Sequence, residues 1–239
     1  MSFGRPSRNY CTLALGLALL LTCAFAGLAA ELDYGSVRND ESHVSTSHFQ
    51  PLLPLCFEPD ATGLSYIARG ADYVFAIEPT SIQLALRNGE SDLRRVLRFD
   101  LLHANRHALL QGADPLPAKI NYLIGNEPAH WRANVPLHQR VRAQQVYPGI
   151  DVAYYGNGAK LEYDFEIAPQ ADPTAIALRF SGVDSATIDS TGNLVLRSGS
   201  EEILQPAPVI YQLIDGQRQP VSGGYQLGSE NSVTFALGR

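Results

Sequence analysis

The sequence predicts an all-β protein, an antiparallel β-sandwich, and three observations predict it. Apolar residues recur at every second position in short runs over most of the chain. Pairs and clusters of Gly, Asn, Asp and Pro separate those runs. No long amphipathic helical pattern follows the first thirty residues. Period-two alternation with frequent turns is the pattern of half-buried strands in packed antiparallel sheets.

The opening segment is of another kind. Arg5 and Arg8 precede an apolar run from Cys11 to Ala30 (CTLALGLALLLTCAFAGLAA). Ala24-Phe25-Ala26 and Gly27-Leu28-Ala29 both place small residues where a signal peptidase reads, so residues 1–30 are expected to form a cleaved secretory signal helix. The run is also long enough to span a bilayer, but it dissolves into Ala and Gly instead of stopping against a basic cluster. Leu20-Leu21-Thr22-Cys23 is a poor lipid-attachment motif because Thr precedes the Cys. Residues 31–50 are polar, Ser-rich and aperiodic, which reads as a flexible leader, with folded sequence from Pro51 onward.

The strands follow in order. Ile82, Leu84 and Leu86 share one face of a first run; Leu97, Phe99 and Leu101 share one face of a second; Ile120, Tyr122 and Ile124 mark a third. In Lys160–Ile167 (KLEYDFEI), Leu161, Tyr163, Phe165 and Ile167 alternate with Lys160, Glu162, Asp164 and Glu166, giving one buried and one wet face. Ile176, Leu178 and Phe180 repeat the pattern, as do Leu194 with Leu196, Val209 with Tyr211 and Leu213, and Val233 with Phe235 and Leu237. Pro148-Gly149, Gly156-Asn157-Gly158, Asp215-Gly216 and Gly228-Ser229-Glu230-Asn231 supply hairpin turns, since Gly and Asn tolerate positive φ. Pro115 to Tyr147 is the least strand-like stretch and is expected to be a long crossing loop, anchored on a sheet by Trp131. Residues 51–239 form either one sandwich or two packed halves, 51–147 and 148–239.

Charge narrows the partners. The signal segment holds two of the 18 Lys and Arg and none of the 24 Asp and Glu, so the remainder carries 16 positive against 24 negative charges, a net −8. An acidic chain without a basic patch is a poor ligand for nucleic acid or an anionic membrane, so membrane contact is expected only through the signal segment. Cys11 and Cys23 lie in that segment, which leaves Cys56 without an intramolecular disulfide partner. Beside Leu55 and Phe57 it reads as a small buried hydrophobe, with no His placed to make it a nucleophile.

Few constellations could carry chemistry. Glu162, Asp164 and Glu166 stand on one strand face about 7 Å apart, near the spacing of inverting glycosidases. Clustered carboxylates also suit Ca²⁺. Together with Tyr154 and Tyr163 they form a candidate ligand face for a glycan. The simpler reading is a solvated strand face, paired with a cross-strand Arg such as Arg179. His103 and His107 would share a face if 102–110 were helical, but Ala104 stands where a zinc protease places Glu. No Gly-x-Ser-x-Gly elbow or complete phosphate loop is present, and Ser181-Gly182 and Ser198-Gly199 read as turns. No catalytic residue, metal ligand or cofactor site is assigned.

One resemblance adds to this. Asn121-Tyr122 with Ile124-Gly125-Asn126, Trp131 with Asn134-Val135-Pro136, Val146 to Asp151, Tyr154-Tyr155-Gly156 and Leu161 to Phe165 resemble a domain of bacterial secreted and cell-surface proteins that precedes SBBP, or β-propeller-type, repeats. Weaker matches are Phe57-Glu58-Pro59 and Pro208 to Gln212. The resemblance implies an extracytoplasmic module with no established catalytic residues, and partners among downstream β-propeller-type repeats or cell-surface polymers. The expectation is therefore a non-catalytic β-sandwich of structural or adhesive role. The alternative is a carbohydrate-active enzyme, or a Ca²⁺-dependent glycan-binding module, using the Glu162, Asp164 and Glu166 face.

Overall fold

The computed structural model describes residues 12–22, 54–70, 73–88 and 92–238, with Thr12–Thr22 and residues 87–88 and 92–94 described by their backbone. Among these residues the architecture is all-β. The first half of the strands is β1 (Thr12–Thr22), β2 (Phe57–Pro59), β3 (Tyr66–Arg69), β4 (Tyr73–Glu78), β5 (Ser81–Asn88), β6 (Asp92–Leu101), β7 (Leu109–Tyr122), β8 (Arg132–Tyr147) and β9 (Ile150–Asn157). The second is β10 (Lys160–Ile167), β11 (Leu178–Ser181), β12 (Ser185–Ile188), β13 (Leu194–Ser198), β14 (Glu201–Gln205), β15 (Val209–Ile214), β16 (Gln217–Pro220), β17 (Gly223–Leu227) and β18 (Ser232–Leu237). The leader expected at 31–50 and the start at Pro51 lie outside the described residues. So does most of the signal segment, of which Thr12–Thr22 alone is described, as a strand.

All the pairings are antiparallel and build two layers. One runs β2-β3-β4-β5-β6-β11-β18-β17. The other runs β7-β8-β9-β10-β1-β15-β16. They meet at one corner, where Phe57 of β2 pairs with His138 of β8. A third, smaller ladder, β12-β13-β14, joins the second layer through β1. The layers pack face to face. Ile82, Phe99 and Leu178 from the first and Val152, Tyr154 and Phe165 from the second wall the same narrow space. The rings of Phe165 and Phe235 sit 6.2 Å apart across it.

The alternation read from the sequence is what fills this interface. Ile82, Leu84, Leu97, Phe99, Leu161, Phe165, Leu178, Phe180 and Val233 are all buried in one hydrophobic cluster. Fully burying each such side chain contributes about 1.5–3 kcal/mol. Turn chemistry also forms as read. Tyr147 pairs with Ile150 around Pro148-Gly149, with Gly149 at φ +73°. Ile214 pairs with Gln217 around Asp215 and Gly216, both at positive φ.

Three expectations fail. Pro115 to Tyr147 is not a crossing loop but most of the hairpin β7–β8, whose strands run for 14 and 16 residues. Most of β7 faces solvent on both sides, so no apolar alternation marks it. It is also an edge strand, paired with β8 alone among the described residues, so Pro115 and Pro117 break no ladder on its other side. Trp131 does not anchor anything on a sheet. It stands at the hairpin tip after a single 3-10 turn, 40% exposed, and its indole N–H donates to the Gly125 carbonyl at 3.1 Å. Ile124, expected in the strand, lies beyond the end of β7 and is exposed.

Candidate functional site

The carboxylate row is held by β10, between β9 and β1. The buried residues of β10 are Leu161, Tyr163, Phe165 and Ile167, and the opposite face carries Glu162, Asp164 and Glu166, each half-buried. The tight turn after Asn157 sets the register, so Glu162 lies opposite Tyr155, Asp164 opposite Ala153, and Glu166 opposite Asp151. One strand further on, Arg140 and Arg142 of β8 lie opposite Tyr155 and Ala153.

Each carboxylate is engaged by a neighbour. The Asn157 amide donates to Glu162 Oε1 at 2.8 Å, and the Tyr155 hydroxyl donates to Asp164 Oδ1 at 3.0 Å. The Arg142 guanidinium bridges Glu166 and Asp151, the latter at 3.1 Å. Arg140 lies 5.4 Å from the centre of the Tyr155 ring and pairs with Asp114 at 3.3 Å. Burial pushes the Asp164 carboxyl above its ordinary range and the Glu162 and Glu166 charges add to this, while the Tyr155 hydrogen bond opposes it. Burial also raises the Tyr155 phenol, as does Asp164 beside it. The result is a hydrogen-bonded row on a sheet face, in which Glu166 is paired with a cation and Glu162 and Asp164 are held by neutral donors.

The expected ligand face therefore divides. Tyr154 and Tyr163 are 1% and 4% exposed and belong to the core, because neighbouring strand residues point to opposite faces. Their rings lie 6.1 Å apart, and Tyr163 accepts a hydrogen bond from the buried Gln205 amide at 2.8 Å. Tyr155 takes the place given to Tyr154. The hairpin register, countable from Gly158, was the signal that would have found it. The Arg paired with a carboxylate of this row is Arg142, not Arg179, which lies near Glu230 at 3.7 Å in the other layer. No group of three or more His, Cys, Asp or Glu side chains suits a metal ion among the described residues.

A cleft of about 970 Å³ opens elsewhere, over the ends of β4, β6 and β11, and is lined by Asp60, Glu78, Arg98, Asp100, Arg106 and Arg179 among others. Arg98 donates to Asp100 at 2.7 Å and to Glu78 at 3.2 Å, and these bonds raise the basicity of its guanidinium. His103 lines the cleft with backbone φ +59°, inside a turn. Because 102–108 is a loop running into β7, His103 and His107 share no helical face and the zinc-protease spacing is not realised.

Sequence reasoning missed a third group. Glu58 of β2 is 3% exposed, accepts from the Tyr122 hydroxyl at 2.6 and 2.7 Å on its two oxygens, and pairs with Arg69 at 3.1 Å. It ties the tip end of the β7–β8 hairpin to the first layer. Burial, and then the Glu58 charge, push the neighbouring Cys56 thiol up, which makes it a poor nucleophile. Nothing in the local sequence around Phe57-Glu58-Pro59 points to Tyr122, 64 residues away.

A family model described as a domain of unknown function (DUF7948) matches residues 59–239. No curated protein and no solved structure matches the chain.

Proposed function

The chain belongs to the family of that domain of unknown function, and from this premise we propose that it is a non-catalytic, extracytoplasmic β-sandwich module of a bacterial secreted or cell-surface protein. Its role is structural or adhesive, and its partners are β-propeller-type repeats or surface polymers. One observation carries the non-catalytic part. In the row best suited to acid–base chemistry each carboxylate is already held by a neighbour, Glu162 by Asn157, Asp164 by Tyr155 and Glu166 by Arg142, and the 970 Å³ cleft is lined by a different set of residues. A glycosidase pair needs one carboxyl poised as acid and another as base or nucleophile around a bound sugar. The export part rests on the charged start and apolar run of residues 1–30.

The test is hydrolysis of, and binding to, envelope polysaccharides and peptidoglycan by the purified protein and by Asp164→Asn. The proposal expects no hydrolysis by either protein, and any polymer binding to survive the substitution. Hydrolysis lost in Asp164→Asn would overturn it in favour of a carbohydrate-active enzyme. Binding lost both in Asp164→Asn and on chelation of Ca²⁺ would overturn it in favour of the Ca²⁺-dependent glycan module.

A further inference from the structure

Strand β1 occupies an unusual place. It is no edge: Leu13–Leu19 pair with Leu161–Ile167 of β10 on one side. On the other side Thr12–Gly16 pair with Val209–Leu213 of β15, and Leu20–Thr22 with Glu202–Leu204 of β14. The same residues make up the apolar run of an export signal, and cleavage after Ala26 or Ala29 would remove them.

Removing a central strand differs from leaving an ordinary free edge. It strips hydrogen-bond partners from β10, β14 and β15 together, around a gap two strand spacings wide, roughly 10 Å. The walls cannot simply close on each other. β10 is fixed by β9 along its whole length, and by the packing of Phe165 on Phe235. β14 is fixed by β13, and its Gln205 binds the Tyr163 and Tyr225 hydroxyls at 2.8 and 3.0 Å. Backbone groups left unpaired in such a place carry their full desolvation penalty when buried, which favours any extended chain that can pair with both sides.

The register states what that chain must look like. The positions facing the buried Ile167, Phe165, Tyr163 and Leu161 across the ladder are Leu13, Leu15, Leu17 and Leu19. The positions facing Glu166, Asp164 and Glu162 are Ala14, Gly16 and Ala18. The requirement is a large apolar residue at every second position and a small residue between. The leader at 31–50 is polar and offers no such segment.

We propose that the gap between β10 on one side and β15 with β14 on the other is a docking slot for an extended, period-two apolar strand donated by another polypeptide once Thr12–Thr22 has been cut away. This rests on the cleavage that forms part of the proposed function. It makes the module a receptor for a strand of defined pattern, which joins it to its partner through main-chain hydrogen bonds.

The test uses the protein recovered from the envelope or culture medium, with its intact mass measured first. The probe is a labelled peptide of the Thr12–Thr22 sequence with two lysines added at each end for solubility. The control is the same composition with the leucines moved one position out of phase. A cleaved protein is expected to bind the probe one to one, and the control at least tenfold more weakly. At a probe concentration 100 times Kd its unfolding equilibrium constant should fall about 100-fold. A cleaved protein that binds neither peptide, or both equally, overturns the slot and leaves the export reading standing. Recovery of the protein at its full 26.0 kDa overturns the cleavage, and the proposal with it.

Discussion

Replacing Gly149 by alanine tests whether the β8–β9 turn sets the geometry of the charged face. Gly149 has φ +73°, and a Cβ built there would come within 2.8 Å of the Ala171 Cβ. The Gly149 carbonyl also accepts the Ala168 amide at 2.8 Å, so the turn is clamped to the segment after β10 and cannot swing away. An alanine in the left-handed region costs about 1–2 kcal/mol. The forced contact adds about 1–3 kcal/mol, because its partner is a methyl fixed to the backbone, not the end of a flexible chain. Gly158 is the internal control: its φ is +60°, and a Cβ there meets nothing within 4 Å. Gly158→Ala should therefore cost about 1–2 kcal/mol, and Gly149→Ala about 2–5 kcal/mol. At about 2–4 °C per kcal/mol for a domain of this size, the two melting points should fall by roughly 2–8 °C and 4–20 °C. Thermal unfolding with urea titration at constant m-value measures both. Equal losses in the two variants would refute the steric argument, and a neutral Gly149→Ala would refute the turn geometry itself.

Two further outcomes follow from the ionised groups. Asp164 is shifted up by burial, so the folded state prefers it protonated. The penalty is absent below its unfolded value, about pH 4, and grows as pH rises through the higher folded value. Asp164→Asn should therefore raise the melting point at pH 7, with the gain fading towards pH 4; a melting-point series against pH checks this, and a gain independent of pH contradicts it. Tyr122→Phe removes the hydroxyl that binds both oxygens of the buried Glu58 and should cost about 1.5–3 kcal/mol. Tyr211→Phe should change stability by less than about 0.5 kcal/mol, since that ring is held by Arg218 at 4.5 Å through its face, not through its hydroxyl. Urea unfolding of the pair reads the difference, and equal costs would refute the role given to Glu58.

The all-β class, the hairpin at Asp215-Gly216 and the two faces of Lys160–Ile167 were legible from residues alone, because alternation and turn chemistry are local properties of the chain. Apart from its end at Ile120 and Tyr122, strand β7 was not legible: most of its side chains face water, so burial leaves no pattern to read. The candidate site was half legible. The carboxylates on β10 stand where alternation puts them, yet Arg142 and Tyr155, which neutralise or bind them, come from strands whose pairing decides who faces whom. Tyr154 and Tyr155 are neighbours of identical chemistry, and only the register separates a core ring from a ligand of Asp164. Glu58 and Tyr122 meet across 64 residues. By itself the sequence determined which residues are apolar on which phase of each strand. The tertiary structure decided which strands lie side by side, because ladder pairing and inter-sheet packing join residues far apart in the chain through contacts that no local pattern encodes.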